Sequence, residues 1–79
     1  MDPLLDAPDV LDATKTKKSK LYADIQAGLY TRPVKIGPRA SRWPRSEVAA
    51  LNAARIAGKS NDEIRALVLQ LMAARAALA

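Results

Sequence analysis

The chain has 79 residues, 13 Lys and Arg against 8 Asp and Glu (net charge +5), and neither Cys nor His. Disulfides, thiolate nucleophiles and Cys- or His-based metal sites are thereby excluded. A domain of this size buries only roughly 60% of the surface its unfolded chain exposes. With sixteen Ala and no Phe, its core leaves little room for a catalytic cavity, so no enzymatic activity is expected.

Residues 1–8, with Pro3 and Pro8 among Asp, Leu and Ala, predict an irregular N-terminal arm. Asp9 to Thr14 predicts a short helix, started by Pro8-Asp9 and sided by Val10, Leu11 and Ala13. Thr14 to Lys18 is a polar, basic break. Thr16 is the expected N-cap of a second helix through Ala27, ended by Gly28 in a left-handed position. Leu21, Tyr22 and Ile25 form its apolar stripe, and Lys17, Lys20 and Asp24 lie on another face. Cations near a helix N-terminus oppose the macrodipole, so local stability does not explain them, whereas a phosphate-bearing partner would.

Tyr30–Ile36 and Ala40–Trp43 flank Gly37-Pro38-Arg39 and predict a two-stranded hairpin, with Pro33 confining the first strand to an edge. Such a ribbon is marginal alone, so Trp43 and Val34 are its expected anchors. Ser46 is the expected N-cap of a third helix with Val48, Leu51 and Ile56 on its apolar face, stopped by Gly58. Ser60 and Glu63 form a capping box. It opens a fourth helix through Ala76, with Ile64, Leu67, Val68, Leu71 and Met72 on one side. The fold class is therefore mainly α with a small β-hairpin. Residues 9–57 form the central domain, and 58–79 form a C-terminal helix for packing or oligomerisation.

Charge is unevenly spread. Residues 15–45 hold nine bases against one acid, residues 1–14 hold four acids and no base, and residues 46–79 hold four bases and three acids. A cationic middle third is the electrostatic footprint of a nucleic-acid-binding domain. The candidate DNA-binding residues are Lys17, Lys18, Ser19, Lys20 and Tyr22 on the second helix, and Lys35, Arg39, Arg42 and Arg45 on and beside the hairpin. Ser19 and Lys20 are expected at base edges, with Lys17 and Lys18 on the backbone. Arg39 is expected in a minor groove. Trp43 reads as a core anchor rather than a stacking platform.

Taken as an ordered series, Ser19-Lys20-Leu21-Tyr22, Ala27-Gly28-Leu29-Tyr30, Pro33 to Arg39, Arg42-Trp43 and Ser46-Glu47-Val48 resemble the AlpA family. These are small DNA-binding regulators of phages and mobile elements, related to excisionases and more distantly to MerR-type domains. The resemblance spans about residues 9–57. It implies a winged helix-turn-helix fold, the helix near 17–27 in the major groove, and the hairpin at backbone or minor groove. It also implies a transcriptional regulator, a recombination directionality factor (excisionase) of a prophage or integrative element, or both. Two positions depart from the family: Lys15 stands at its usual turn Gly, and Lys17 at its usual Ser before the second helix.

The expected partner is double-stranded DNA, with self-association as a dimer or a filament on DNA through Ile64, Leu67, Val68, Leu71 and Met72. An RNA-binding basic protein and an adaptor using the fourth helix are the alternatives. No cofactor, metal, small-molecule substrate or membrane is expected, and the absence of Cys and of a signal-like N-terminus favours the cytoplasm.

Overall fold

The order of elements is β1 (Leu4–Leu5), α1 (Ala7–Thr14), α2 (Lys18–Gln26), β2 (Val34–Gly37), β3 (Ala40–Pro44), α3 (Arg45–Ile56) and α4 (Asn61–Leu78), in a computed structural model that describes residues 2–78. The molecule is mainly helical, with one small antiparallel sheet of strand order β1-β3-β2.

Local chemistry accounts for most helix limits. Asp6, rather than Pro8-Asp9, caps α1: its carboxylate accepts from the Asp9 amide at 2.9 Å, and the helix begins two residues earlier than expected. α2 begins at Lys18 with Lys17 at the N-cap position and no side-chain cap. The expected cap, Thr16, shares a hydrogen bond with the Thr14 hydroxyl instead, at 2.9 Å. Ser46 likewise does not cap α3. Pro44 holds that position, while the Ser46 hydroxyl and amide both bond to Asp2. The capping box of α4 is present: Ser60 and Glu63 exchange bonds of 3.0 and 3.2 Å.

Three helices end in the same way. The amide just beyond a left-handed residue bonds back to the carbonyl five residues earlier, in the last turn of the helix: Thr16 to Leu11, Leu29 to Asp24 and Lys59 to Ala54. The turn requires a left-handed residue, where glycine has no steric penalty. Gly28 (φ 76°) and Gly58 (φ 75°) supply two of them. The third is Lys15 at φ 54°, the one non-glycine residue with positive φ among the described residues.

The hairpin is shorter on its first side than expected, because residues 30–33 lie outside the ladder. Val34 pairs with Arg42, Lys35 with Ser41, and Gly37 with Ala40, with an irregularity between Lys35 and Gly37. β2 is an edge strand, as expected, although Pro33 itself lies just before it. The arm is not irregular throughout: Leu4 pairs with Pro44 and Leu5 with Trp43, making β1 a third strand. The Arg45 amide extends this pairing to the Pro3 carbonyl at 2.8 Å.

The core consists of Val10, Leu21, Tyr30, Trp43, Val48, Leu51, Ile64 and Val68, drawn from every helix, from β3 and, for Tyr30, from the connection between α2 and β2. Trp43 is its largest side chain, fully enclosed, and its indole N–H donates to the Thr31 carbonyl at 2.9 Å. The apolar face of α3 turns out to run through Val48, Leu51 and Arg55, so Ile56 is 87% exposed. Position 55 continues the helical spacing; Arg55 is half-buried, and its guanidinium reaches Asp24. A clasp also joins α3 to α4. Arg75 donates to both oxygens of buried Glu47, at 2.6 and 2.5 Å.

The strained turn yields a test. A non-glycine residue in the left-handed region costs on the order of 1 kcal/mol, and the fully exposed Lys15–Asp12 pair offsets little of it. Lys15→Gly is expected to raise Tm by about 4–8 °C in thermal unfolding. It should also return the Asp12 carboxyl, now lowered by the Lys15 hydrogen bond and then by its charge, to the usual range.

Candidate nucleic-acid interface

The candidate site begins with the unusual start of α2. The Leu21 amide makes the first turn's backbone bond, to the Lys17 carbonyl at 3.1 Å, so the preceding amides lack helical acceptors. No acidic residue stands in the first turn and no side chain caps it. Lys17, Lys18, Ser19 and Lys20 are all exposed around these free donors. Positive side chains and the positive end of a helix thus act in the same direction, which favours an anion outside the chain.

Lys20 differs from its neighbours. Its ammonium donates to Asp24 at 2.7 Å, and Arg55 reaches the other oxygen of the same carboxylate at 3.3 Å. Asp24 is buried, so it is the fixed point and the two cations close over it from α2 and α3. Arg55 also donates to the Leu29 carbonyl at 3.4 Å, tying the end of α2 to α3. Lys20 is therefore engaged within the molecule, unlike Lys17 and Lys18. Tyr22 is 39% exposed, with its ring outside the core rather than in the expected stripe.

The second group of candidates lies on the ribbon. Arg39 is exposed in the two-residue turn between β2 and β3. Paired residues share a face and neighbours alternate. Lys35 therefore lies on the face of Ser41 and Trp43, and its ammonium bonds to the Ser41 hydroxyl at 2.7 Å. Arg42 lies on the other face with Val34 and bonds to the Ser41 carbonyl at 2.9 Å. The cations thus occupy both faces and the tip of one finger. Arg45 stands apart, at the far end of β3, roughly 20 Å along the strand from Arg39.

The remaining charges sort clearly. Lys15, Lys20, Arg55, Lys59, Arg65 and Arg75 each have a carboxylate partner. Among the described residues the other cations have none: Lys17, Lys18, Arg32, Lys35, Arg39, Arg42 and Arg45. All seven fall within residues 17–45. Arg32, exposed beside Pro33, belongs to this set and is absent from the sequence-derived candidates. Its membership in the cationic third was the available signal.

The candidate oligomerisation residues are placed differently. Ile64 and Val68 lie in the core, at 5% and 7% exposure, and Leu67, Leu71 and Met72 pack against it. α4 packs on α3, and the stripe is taken up by the core. Among the described residues no three His, Cys, Asp or Glu side chains form a metal-sized group, and no helix is long and apolar enough to cross a membrane.

Asp24→Asn leaves Arg55 and Lys20 without their shared carboxylate; hydrogen bonds to charged groups contribute about 1.5–3 kcal/mol. Chemical denaturation should show a loss of that size with an unchanged m-value. Burial raises the Tyr30 hydroxyl from 10.0 to about 12, opposed by Arg55 and assisted by Glu47. A folded value above the unfolded one stabilises the protein below pH 10, and that contribution disappears as pH rises from 10 to 12. Tyr30→Phe should remove that alkaline loss in Tm measured against pH.

Compared with protein-family models, curated proteins and solved structures, the chain matches none.

Proposed function

We propose that the protein binds double-stranded DNA in a sequence-specific manner, as a transcriptional regulator, as a recombination directionality factor of a mobile element, or as both. In this reading α1, the turn at 15–17 and α2 act as a helix-turn-helix, and β2–β3 acts as a wing. The resemblance of residues 9–57 to the AlpA family supports the same assignment.

One observation carries the proposal: every cation without a carboxylate partner among the described residues comes from residues 17–45. Leaving seven cations uncompensated in one third of a chain gains nothing for folding, since like charges repel. Phosphates provide the missing countercharge. Lys17 and Lys18 stand where the start of a recognition helix meets DNA, and Arg39 at the ribbon tip is suited to a narrow minor groove.

The accessible aromatic surface favours a duplex over a single strand. Single-strand binders stack bases on exposed rings. Trp43 and Tyr30 are inside the core, which leaves Tyr22 alone at the surface.

Salt dependence tests the proposal. Five to seven phosphate contacts give a log–log slope of roughly −5 to −6, at about −0.9 per phosphate. The triple variant Lys17→Ala, Lys18→Ala, Arg39→Ala should reduce the slope by roughly 3. Its Tm should barely change, because these side chains are exposed and bond to nothing else. A slope near zero in the wild type contradicts the proposal. Footprints beside an integrase attachment site would point to excision, and footprints over a promoter to regulation.

A further inference from the structure

A cavity of about 10 Å³ lies beneath the turn that joins α1 to α2, lined by Thr14, Thr16, Leu21, Asp24, Tyr30 and Arg55. Among the described residues, three enclosed side-chain atoms have no hydrogen-bond partner in the chain: the Tyr30 hydroxyl, Arg55 Nε and the Thr31 hydroxyl. The first two belong to residues of the cavity wall. A buried donor left unpaired forfeits its hydration without return, so native interiors satisfy nearly all of them.

Bonds already made define what the rest of the wall can offer. The Thr14 hydroxyl donates its one proton to the Val10 carbonyl at 2.8 Å. In the Thr14–Thr16 pair, Thr16 is therefore the donor, and its oxygen keeps free acceptor capacity. One oxygen of Asp24 accepts from Lys20 and the other from Arg55, and each retains a further lone pair. The wall thus combines two unused donors with two groups that can still accept.

We infer that one water molecule occupies this cavity as part of the fold, accepting from the Tyr30 hydroxyl and Arg55 Nε–H and donating to Thr16 and Asp24. Size and charge identify the occupant. Roughly 10–15 Å³ accommodates one water, which needs two to four polar partners. A cation would be repelled by Arg55 and an anion by Asp24. A neutral molecule of one oxygen, donating and accepting in equal number, meets both. The water joins the turn before α2 to α3 and to the connection that precedes β2. It does not depend on the DNA-binding proposal and is tested without DNA.

Oxygen-17 magnetic relaxation dispersion counts waters that stay bound longer than the protein takes to tumble. It reports the water oxygen itself, so exchanging hydroxyl protons do not contribute. The test compares the wild type with the double variant Thr16→Val, Tyr30→Phe, which removes one acceptor and one donor at nearly constant shape. The wild-type amplitude should exceed that of the double variant by one water per chain. Tyr22→Phe, which removes the hydroxyl of a tyrosine 39% exposed at the surface, should retain the wild-type amplitude. Circular dichroism shows whether the double variant folds; if it does not, Thr16→Val alone takes its place in the comparison. A wild type without a long-lived water overturns the inference. Equal amplitudes in the wild type and the cavity variant overturn it as well, as does a loss of the water in Tyr22→Phe.

Discussion

Trp43 sits where the chain's shortage of large apolar groups is met. With no Phe, sixteen Ala and no disulfide, a single indole on the central strand has to join the sheet to the helices. Its ring fills the core, and its N–H fixes the otherwise loop-like residues 30–33 through the Thr31 carbonyl. β1 on one side and β2 on the other both pair with the strand that carries it. Truncation to Ala would remove about 3–5 kcal/mol, a large part of what a domain this small possesses. The hairpin is thereby held as an extension of the core and can carry charge at its tip without depending on local contacts there.

Upon that frame the acids are distributed with economy. Asp24 is enclosed and closes Lys20 and Arg55 over itself, while Glu47 takes Arg75 from the last helix. Asp6 and Glu63 cap helices, and Asp2 holds Ser46. These carboxylates are thus committed to caps and to joining elements, and Asp24 alone lies in the middle of the chain. The uncapped, cation-ringed start of α2 and the basic finger are the electrostatic consequence. A phosphate backbone is the counterpart proposed for both.

How much of this was legible follows from how local each determinant is. Gly28, Gly58 and the Ser60–Glu63 box act within a few residues and were readable directly. Thr16 and Ser46 have the right chemistry for caps, yet their hydroxyls found Thr14 and Asp2, and the second of those partners is 44 residues away. Leu4 and Leu5 carry no strand period in so short a run, so β1 emerges only from its pairing with β3. Asp24 looked like a surface acid until Arg55, 31 residues on, came to meet it. The same event moved the buried face of α3 from Ile56 to Arg55. At the candidate interface, the cationic third was plain in the sequence. What the sequence could not supply was which cations are internally satisfied, since pairing of Lys20 and the freedom of Arg32 are properties of the folded chain.

Amide chemical-shift mapping during titration with duplex DNA reports the contact surface residue by residue. Shifts concentrated at residues 17–22 and 34–42, with the outer face of α4 unaffected, are expected if the cationic third meets the phosphates. Shifts centred on α4, or spread evenly over the molecule, would rule that surface out.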